Sequence, residues 1–297
     1  MGFLATSCTG TRVVKRYPWE EARKSLATTT DAILCYGGSH HRTPYLWDQA
    51  RLAPLVTYTD PAGREHWLFD GFIFLEFQDT NRPDNARYAF ETGQLRDTGV
   101  SAGKAQWQEL IDYYFRPGNG VDALDKAVKE ATGRLGNAPA KRRVIMVLPD
   151  PVIYEHYIDT TSSTTYWGEL NGRRLDFAKA SDRIAAYKWY IDSVRRLFDE
   201  ADYRYVELAG FYIVSEDLAT PGDGWNPELK RWEEVIPEVA EYLHALNESL
   251  CWIPYNRAAG YRNWKRFGID YAYMQPNYFW DDKGENCLLY TSDAADE

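Results

Sequence analysis

The sequence predicts a mixed α/β fold, a TIM-type (β/α)8 barrel truncated after about six strands. Short apolar runs recur along the chain, separated by stretches with helical spacing, the alternation left by parallel strands buried on both faces. No Gly-rich loop of the kind that cradles a dinucleotide follows these runs, which disfavours an open nucleotide-binding sheet. One run, Tyr205-Val206-Glu207-Leu208-Ala209-Gly210-Phe211-Tyr212-Ile213-Val214-Ser215-Glu216, breaks off in a carboxylate, and barrels of parallel strands gather their chemistry at such C-terminal ends.

Residues 1–30 read as an N-terminal segment and 31–286 as the barrel domain. The first strand is Ala32-Ile33-Leu34-Cys35-Tyr36, closed by Gly37-Gly38. A second lies within 67–77, where Phe72-Ile73-Phe74-Leu75 leads to Glu76, Gln78 and Asp79. Helical spacing then occupies 105–115 and 121–134, the latter with Leu124, Ala127 and Val128 on one face. The strand Val144-Ile145-Met146-Val147-Leu148 is stopped by Pro149-Asp150-Pro151, because two prolines end both helix and ladder. Within 152–180, Asn171-Gly172 is the turn of a hairpin, expected to stand as a flap beside the strand ends. Ser181 reads as the N-cap of a helix in which Ile184, Tyr187, Ile191, Val194 and Phe198 repeat at helical spacing and lead into the Tyr205 strand. A further helix over 230–250 turns Val235, Val239, Leu243 and Leu246 inward. Two strands follow, Cys251-Trp252-Ile253-Pro254-Tyr255 and Tyr271-Ala272-Tyr273-Met274-Gln275. Six strands fall short of the eight that close a barrel, so the last two are expected to be missing.

A chain of 297 residues that is 44% hydrophobic can bury a full core, which excludes a disordered protein. Its formal charge of -10, with no run of Lys or Arg, argues against a nucleic-acid partner and for a neutral polymer or small molecule. The 11 Trp and 22 Tyr suit stacking on sugar rings as well as packing in a large core. Cys35 and Cys251 stand in apolar runs and read as buried free thiols. His40-His41, His66, His156 and His244 lack metal-ligand spacing, no cofactor is implied, and no stretch is long enough to span a membrane. Leu4-Ala5-Thr6-Ser7-Cys8 resembles the end of a bacterial lipoprotein signal, with Cys8 as the lipidated residue. The apolar stretch before it is short, so a misplaced start and an ordinary Cys8 stay equally open. On the lipoprotein reading the protein is exported to the periplasm or cell surface and touches the membrane only through Cys8. The tail 287–297 resembles translated read-through of a sequencing adapter, so the native sequence is expected to stop near Asn286. Removing its Asp293, Asp296 and Glu297 leaves the chain acidic.

Polar residues follow nearly every strand: Glu76 and Asp79, Asp150, Glu216, Tyr255-Asn256-Arg257, then Gln275-Pro276-Asn277-Tyr278. A barrel brings such residues to one rim, although each alone is what any strand end meeting solvent carries. Cleaving a glycosidic bond requires one carboxylic acid to protonate the departing oxygen and a second carboxylate as nucleophile or base, about 5 Å away in retaining enzymes. Glu216 is the candidate acid, since apolar surroundings favour the protonated carboxyl that a donor requires. The plain alternative is a solvated pair with Asp217. Asp150 is preferred over Glu76 as partner because its strand neighbours that of Glu216, and Glu76 is grouped with the substrate-binding residues. Tyr255, Asn256, Arg257, Gln275, Asn277 and Tyr278 are candidates to bind sugar hydroxyls, with amides and phenols offering paired donors and acceptors. Trp167, Trp225 and Trp280 are either stacking platforms or buried anchors that pin their loops. An esterase or deacetylase would need a nucleophilic Ser elbow or a metal triad, and neither is present in the sequence.

The motifs Phe211-Tyr212-Ile213-Val214-Ser215-Glu216, Trp252-Ile253-Pro254-Tyr255-Asn256-Arg257 and Asp270-Tyr271-Ala272-Tyr273-Met274-Gln275-Pro276-Asn277-Tyr278-Phe279-Trp280 resemble a bacterial family catalogued as domain of unknown function 4855. The resemblance covers about 31–286. It implies an exported protein similar to TIM-barrel glycosidases, hence a retaining glycoside hydrolase acting on a poly- or oligosaccharide, with Glu216 as general acid and base. It also implies that the nucleophile lies in an acidic segment beyond the sixth strand, which would leave this chain inactive. Ser215 stands where many barrel glycosidases carry Asn before the acid. The opposing class is a non-catalytic glycan-binding surface lipoprotein on the same scaffold, and a matched carboxylate pair separates the two.

Overall fold

A computed structural model describes residues 29–37, 46–152, 166–218 and 232–275. Its frame is a six-stranded sheet of β1 (Ala32–Tyr36), β2 (Gly71–Leu75), β3 (Arg142–Leu148), β4 (Val206–Ile213), β5 (Ser249–Trp252) and β6 (Tyr271–Ala272), adjacent in chain order. Every neighbouring pair is parallel, and the sheet curls into a half-barrel. Parallel neighbours need long crossovers. Helices α1 (Gln49–Val56), α2 (Lys104–Phe115), α3 (Gly120–Leu135), α4 (Ala180–Ala201) and α5 (Ile236–Ala245) lie in the crossovers that join β1 through β5. β2 and β3 are buried at every position, as strands covered on both faces must be.

β3 begins at Arg142, two residues before its apolar run, because both arginine heads find partners. Arg142 lies over the ring of Trp67, 4.6 Å from its centroid, and Arg143 Nε lies 3.7 Å from Glu207. The helix expected over 230–250 is shorter than its pattern. Ser249 and Leu250 already belong to β5, and the chain turns at Asn247 in the left-handed region at φ 62°. The helix read as capped by Ser181 starts two residues earlier, at Ala180, with Lys179 at the cap.

The Asn171-Gly172 hairpin pairs Tyr166–Leu170 with Arg173–Asp176, both turn residues taking positive φ. It does not stand as a flap. Trp167 is 3% exposed, its ring 5.2 Å from Trp107 of α2 and 5.4 Å from Trp189 of α4. Trp107 also meets Tyr190 edge-on at 5.8 Å, so the hairpin is fastened to two helices through one aromatic cluster.

β4 carries one residue more than β3 between Leu208 and Gly210, a bulge at Ala209. Directly after it, Gly210 pairs with Ser249, and a methyl group on Gly210 would stand 2.2 Å from the Ser249 carbonyl oxygen. No side chain can yield there, because the obstacle is backbone. Gly210→Ala is therefore expected to push β5 off β4 and to cost about 1–3 kcal/mol, read as a lower midpoint in denaturant unfolding. An unchanged midpoint would show that the two strands are not packed this closely.

Candidate functional site

Beyond the ends of β5 and β6 the ladder continues as a bridge between Tyr255 and Gln275. Gln275 N donates to Pro254 O at 2.7 Å and Asn256 N donates to Gln275 O at 2.9 Å. This fixes the Gln275 side chain, whose Nε2 donates to Ile253 O at 3.0 Å and to Glu216 Oε1 at 2.7 Å. Glu216 is half-buried at the end of the fourth strand. Its neighbours in sequence are tethered. Trp252 Nε1 donates to Ser215 O at 2.7 Å, and Asp217 accepts from Tyr255 Oη at 2.9 Å and from Ala259 N. Asp217 thus holds the loop after β5, while Glu216 meets Gln275. Burial, followed by the bond to Asp217, pushes the Tyr255 phenol up to about 12.

Tyr212, four residues before Glu216 and 2% exposed, lies in register with Val147 of β3 and Cys251 of β5. Its phenol is held well above the ordinary range, first by burial and then by the charge of Glu216, with Tyr36, Cys251 and Glu91 adding to it.

The remaining strand-end acids are turned to other tasks. Asp150, 2% exposed, accepts from Thr92 N at 3.0 Å and from Thr92 Oγ1, and its own N–H donates to Phe90 O at 2.7 Å. Glu76, 1% exposed, accepts from the backbone N–H groups of Phe77 and Gln78 beside the Tyr114 phenol. Asp79 pairs with Arg82 at 2.9 Å. Arg257 is exposed, in the left-handed region at φ 71°, within a turn closed by Ala258 N donating to Tyr255 O. Trp167 is a buried anchor, as its aromatic neighbours require. Trp225, Asn277, Tyr278 and Trp280 lie outside the described residues, as does Cys8.

The structure thus brings together Glu216, Tyr255, Asn256 and Gln275, and it adds Tyr212, which sequence reasoning missed. Tyr212 was within reach of it, because strand alternation places 212, 214 and 216 in one phase. Among the described residues no group of His, Cys, Asp or Glu is arranged to hold a metal ion, and no helix is long and apolar enough to cross a membrane.

A parallel α/β half-barrel with a polar mouth at its strand ends is the class of protein that this geometry defines. Within that class, the chain belongs to the family described as Domain of unknown function (DUF4855), whose model matches residues 31–289. No curated protein and no solved structure matches it.

At the opposite end of the sheet, a cavity of about 330 Å³ is lined by residues including Lys141, Arg195, Asp199, Glu207 and Glu248. It is far from Glu216 in the fold, lying where β3 and β4 begin. Burial pushes the Glu248 carboxyl up to about 8 even though Arg195 Nε lies 3.2 Å away and opposes the shift. The folded state therefore holds a proton that the unfolded chain, with an ordinary carboxyl, releases at lower pH. The associated stability is present in acid and is lost as pH rises through about 8. Melting temperature is expected to fall between pH 6 and 9 by on the order of 2–4 °C per kcal/mol lost, and Glu248→Gln should flatten that slope. A slope unaltered in the variant would assign the loss to other groups.

Proposed function

We propose that the protein is a glycoside hydrolase of TIM-barrel type acting on a poly- or oligosaccharide, with Glu216 as general acid and base in a retaining reaction. The observation that carries this reading is a carboxylate at the end of the fourth strand, half-buried and contacted by the fixed amide of Gln275 at 2.7 Å. Glu216 protonates the departing glycosidic oxygen, then takes a proton from the water that completes hydrolysis. Tyr255, Asn256 and Gln275 stand beside it and supply donors and acceptors for sugar hydroxyls. Its acidic balance suits a neutral glycan better than nucleic acid. Export, with a lipid on Cys8, fits a polymer too large to enter a cell.

The second reading is a non-catalytic glycan-binding surface lipoprotein. It is favoured by the same amide, because polar side chains of this kind hold a sugar without cleaving it.

Glu216→Gln is expected to lower hydrolysis of a natural glycan by at least about two orders of magnitude while retaining glycan binding, measured by reducing-sugar release and calorimetry. Equal rates in the two proteins would overturn the assignment. Binding without turnover by the parent on every glycan tested would favour the second reading.

A further inference from the structure

We infer that the cavity where β3 and β4 begin is a binding site for a small organic cation, an alkylammonium whose head bonds to Glu248 and whose apolar body lies against Phe198 and Tyr203. The site is independent of the glycosidase reading, since it stands at the opposite end of the sheet from Glu216.

Charge in the cavity is unbalanced. Among its lining residues, the acids Asp199, Asp202, Glu207 and Glu248 outnumber the bases Lys141 and Arg195. Both bases are already engaged: Lys141 Nζ donates to Tyr203 O at 3.0 Å, and Arg195 Nε donates to Glu248 Oε1 at 3.2 Å. Glu207 has Arg143 at 3.7 Å. Asp199 and Asp202 are exposed, and neither carboxylate is bonded to a described residue. They stand where acids are least favoured. The last turn of α4 holds no basic residue and Asp202 is its C-cap, so both carboxylates add to the negative end of the helix dipole. A cation entering the cavity relieves that repulsion.

The second observation is Glu248 itself. It is 8% exposed, and its Oε2 is buried with no hydrogen-bond partner, because Arg195 meets only Oε1. A buried carboxyl oxygen left without a partner is destabilising, and a donor on a ligand removes that cost. The terminal torsion of glutamate is broad and two-fold, so rotation about Cγ–Cδ exchanges the two oxygens and presents either to the cavity that the residue lines. Burial pushes this carboxyl up to about 8, with Arg195 opposing the shift and Asp199 and Glu207 adding to it. At neutral pH it therefore carries a proton until a cation arrives. An ammonium bonded to it stabilises the carboxylate, and the proton leaves to solvent as the ligand enters.

The remaining walls suit the same ligand. Phe198 and Tyr203 meet edge-on at 5.6 Å, and Val206 and Leu208 line the cavity with them. Aromatic faces attract an ammonium, and the apolar side chains cover its alkyl chain. A volume of about 330 Å³ admits a chain of a few carbons. The acids are not arranged to hold a metal ion, which turns the choice to an organic cation.

The test is calorimetric titration of the full chain with 1,4-diaminobutane at neutral pH, in phosphate and in HEPES, whose ionisation enthalpies differ. Binding should release about one proton, read from the difference in heat between the buffers, and the release should fall toward zero about two pH units higher. Glu248→Gln should abolish the release and weaken binding at least about tenfold. Asp199→Asn, at an exposed position that leaves the core intact, should weaken binding about threefold and keep the release. No binding of the diamine at millimolar concentration, equal heats in the two buffers, or unaltered affinity in Glu248→Gln would overturn the inference. Binding of butyrate in its place would assign the cavity to an anion held by Arg195, and binding of calcium ion to a metal, and either would overturn it as well.

Discussion

The close approach of β5 to β4 at Gly210 is the constraint on which the mouth of this half-barrel depends. The bulge at Ala209 shifts the phase of β4 by one residue relative to β3, and the strand then runs in step with both neighbours through Ile213. Side chains alternate along a strand, so a shift of one residue exchanges its two faces. Tyr212 sits beside Glu216 in this phase, and without the extra residue it would turn toward the other face. Gly210 lets β5 draw near enough for Trp252 to reach the Ser215 carbonyl, which in turn steadies the residue before Glu216. A backbone feature five residues upstream thus positions the polar end of the strand.

Partners distinguish the acids at the strand ends more sharply than burial does. Asp217 is half-buried, like Glu216, yet it fastens the loop after β5 through Tyr255 and Ala259. Asp150 fastens the loop after β2, Glu76 caps its own following backbone, and Asp79 pairs with Arg82. A carboxylate that accepts backbone N–H groups is committed to holding that backbone, which makes it a good clamp. Glu216 instead meets the amide of a side chain, Gln275.

Much of the sheet was legible because apolar runs flanked by turn residues leave few alternatives. β1 coincides with the expected strand at both ends, and the apolar spacing after Ser181 marks the helix seen as α4, which runs about one turn longer than that spacing. The misses have local causes. α1 carries Pro54 in its interior, and a proline there normally argues against a helix. Arg142 and Arg143 hid the start of β3, since two charges read as loop until Trp67 and Glu207 are placed beside them. Trp167 could be platform or anchor by composition, and only the positions of Trp107 and Trp189 decide between them. Glu216 was legible as a strand-end acid, whereas the segment at Phe90 is tied by hydrogen bonds to residues 13 and 60 positions away, Phe77 and Asp150, and no local pattern encodes those.

The two ends of the sheet solve opposite electrostatic problems. Where strands begin, cationic heads meet acids or rings, Arg142 with Trp67, Arg143 with Glu207 and Arg195 with Glu248, and His244 bonds to Asp270 at 2.9 Å. Burial there is costly enough that Glu248 keeps its proton despite its arginine partner. Where strands end, Glu76, Asp150 and Glu216 are met by backbone N–H groups, a hydroxyl and an amide, while Asp79 is paired with Arg82. A carboxylate neutralised by an arginine gains little by bonding to a substrate, while one held only by dipoles keeps its charge available to an incoming positive centre. An oxocarbenium-like transition state is such a centre, and on the glycosidase reading Glu216 meets it from the end of the sheet where Gln275 contacts its carboxylate.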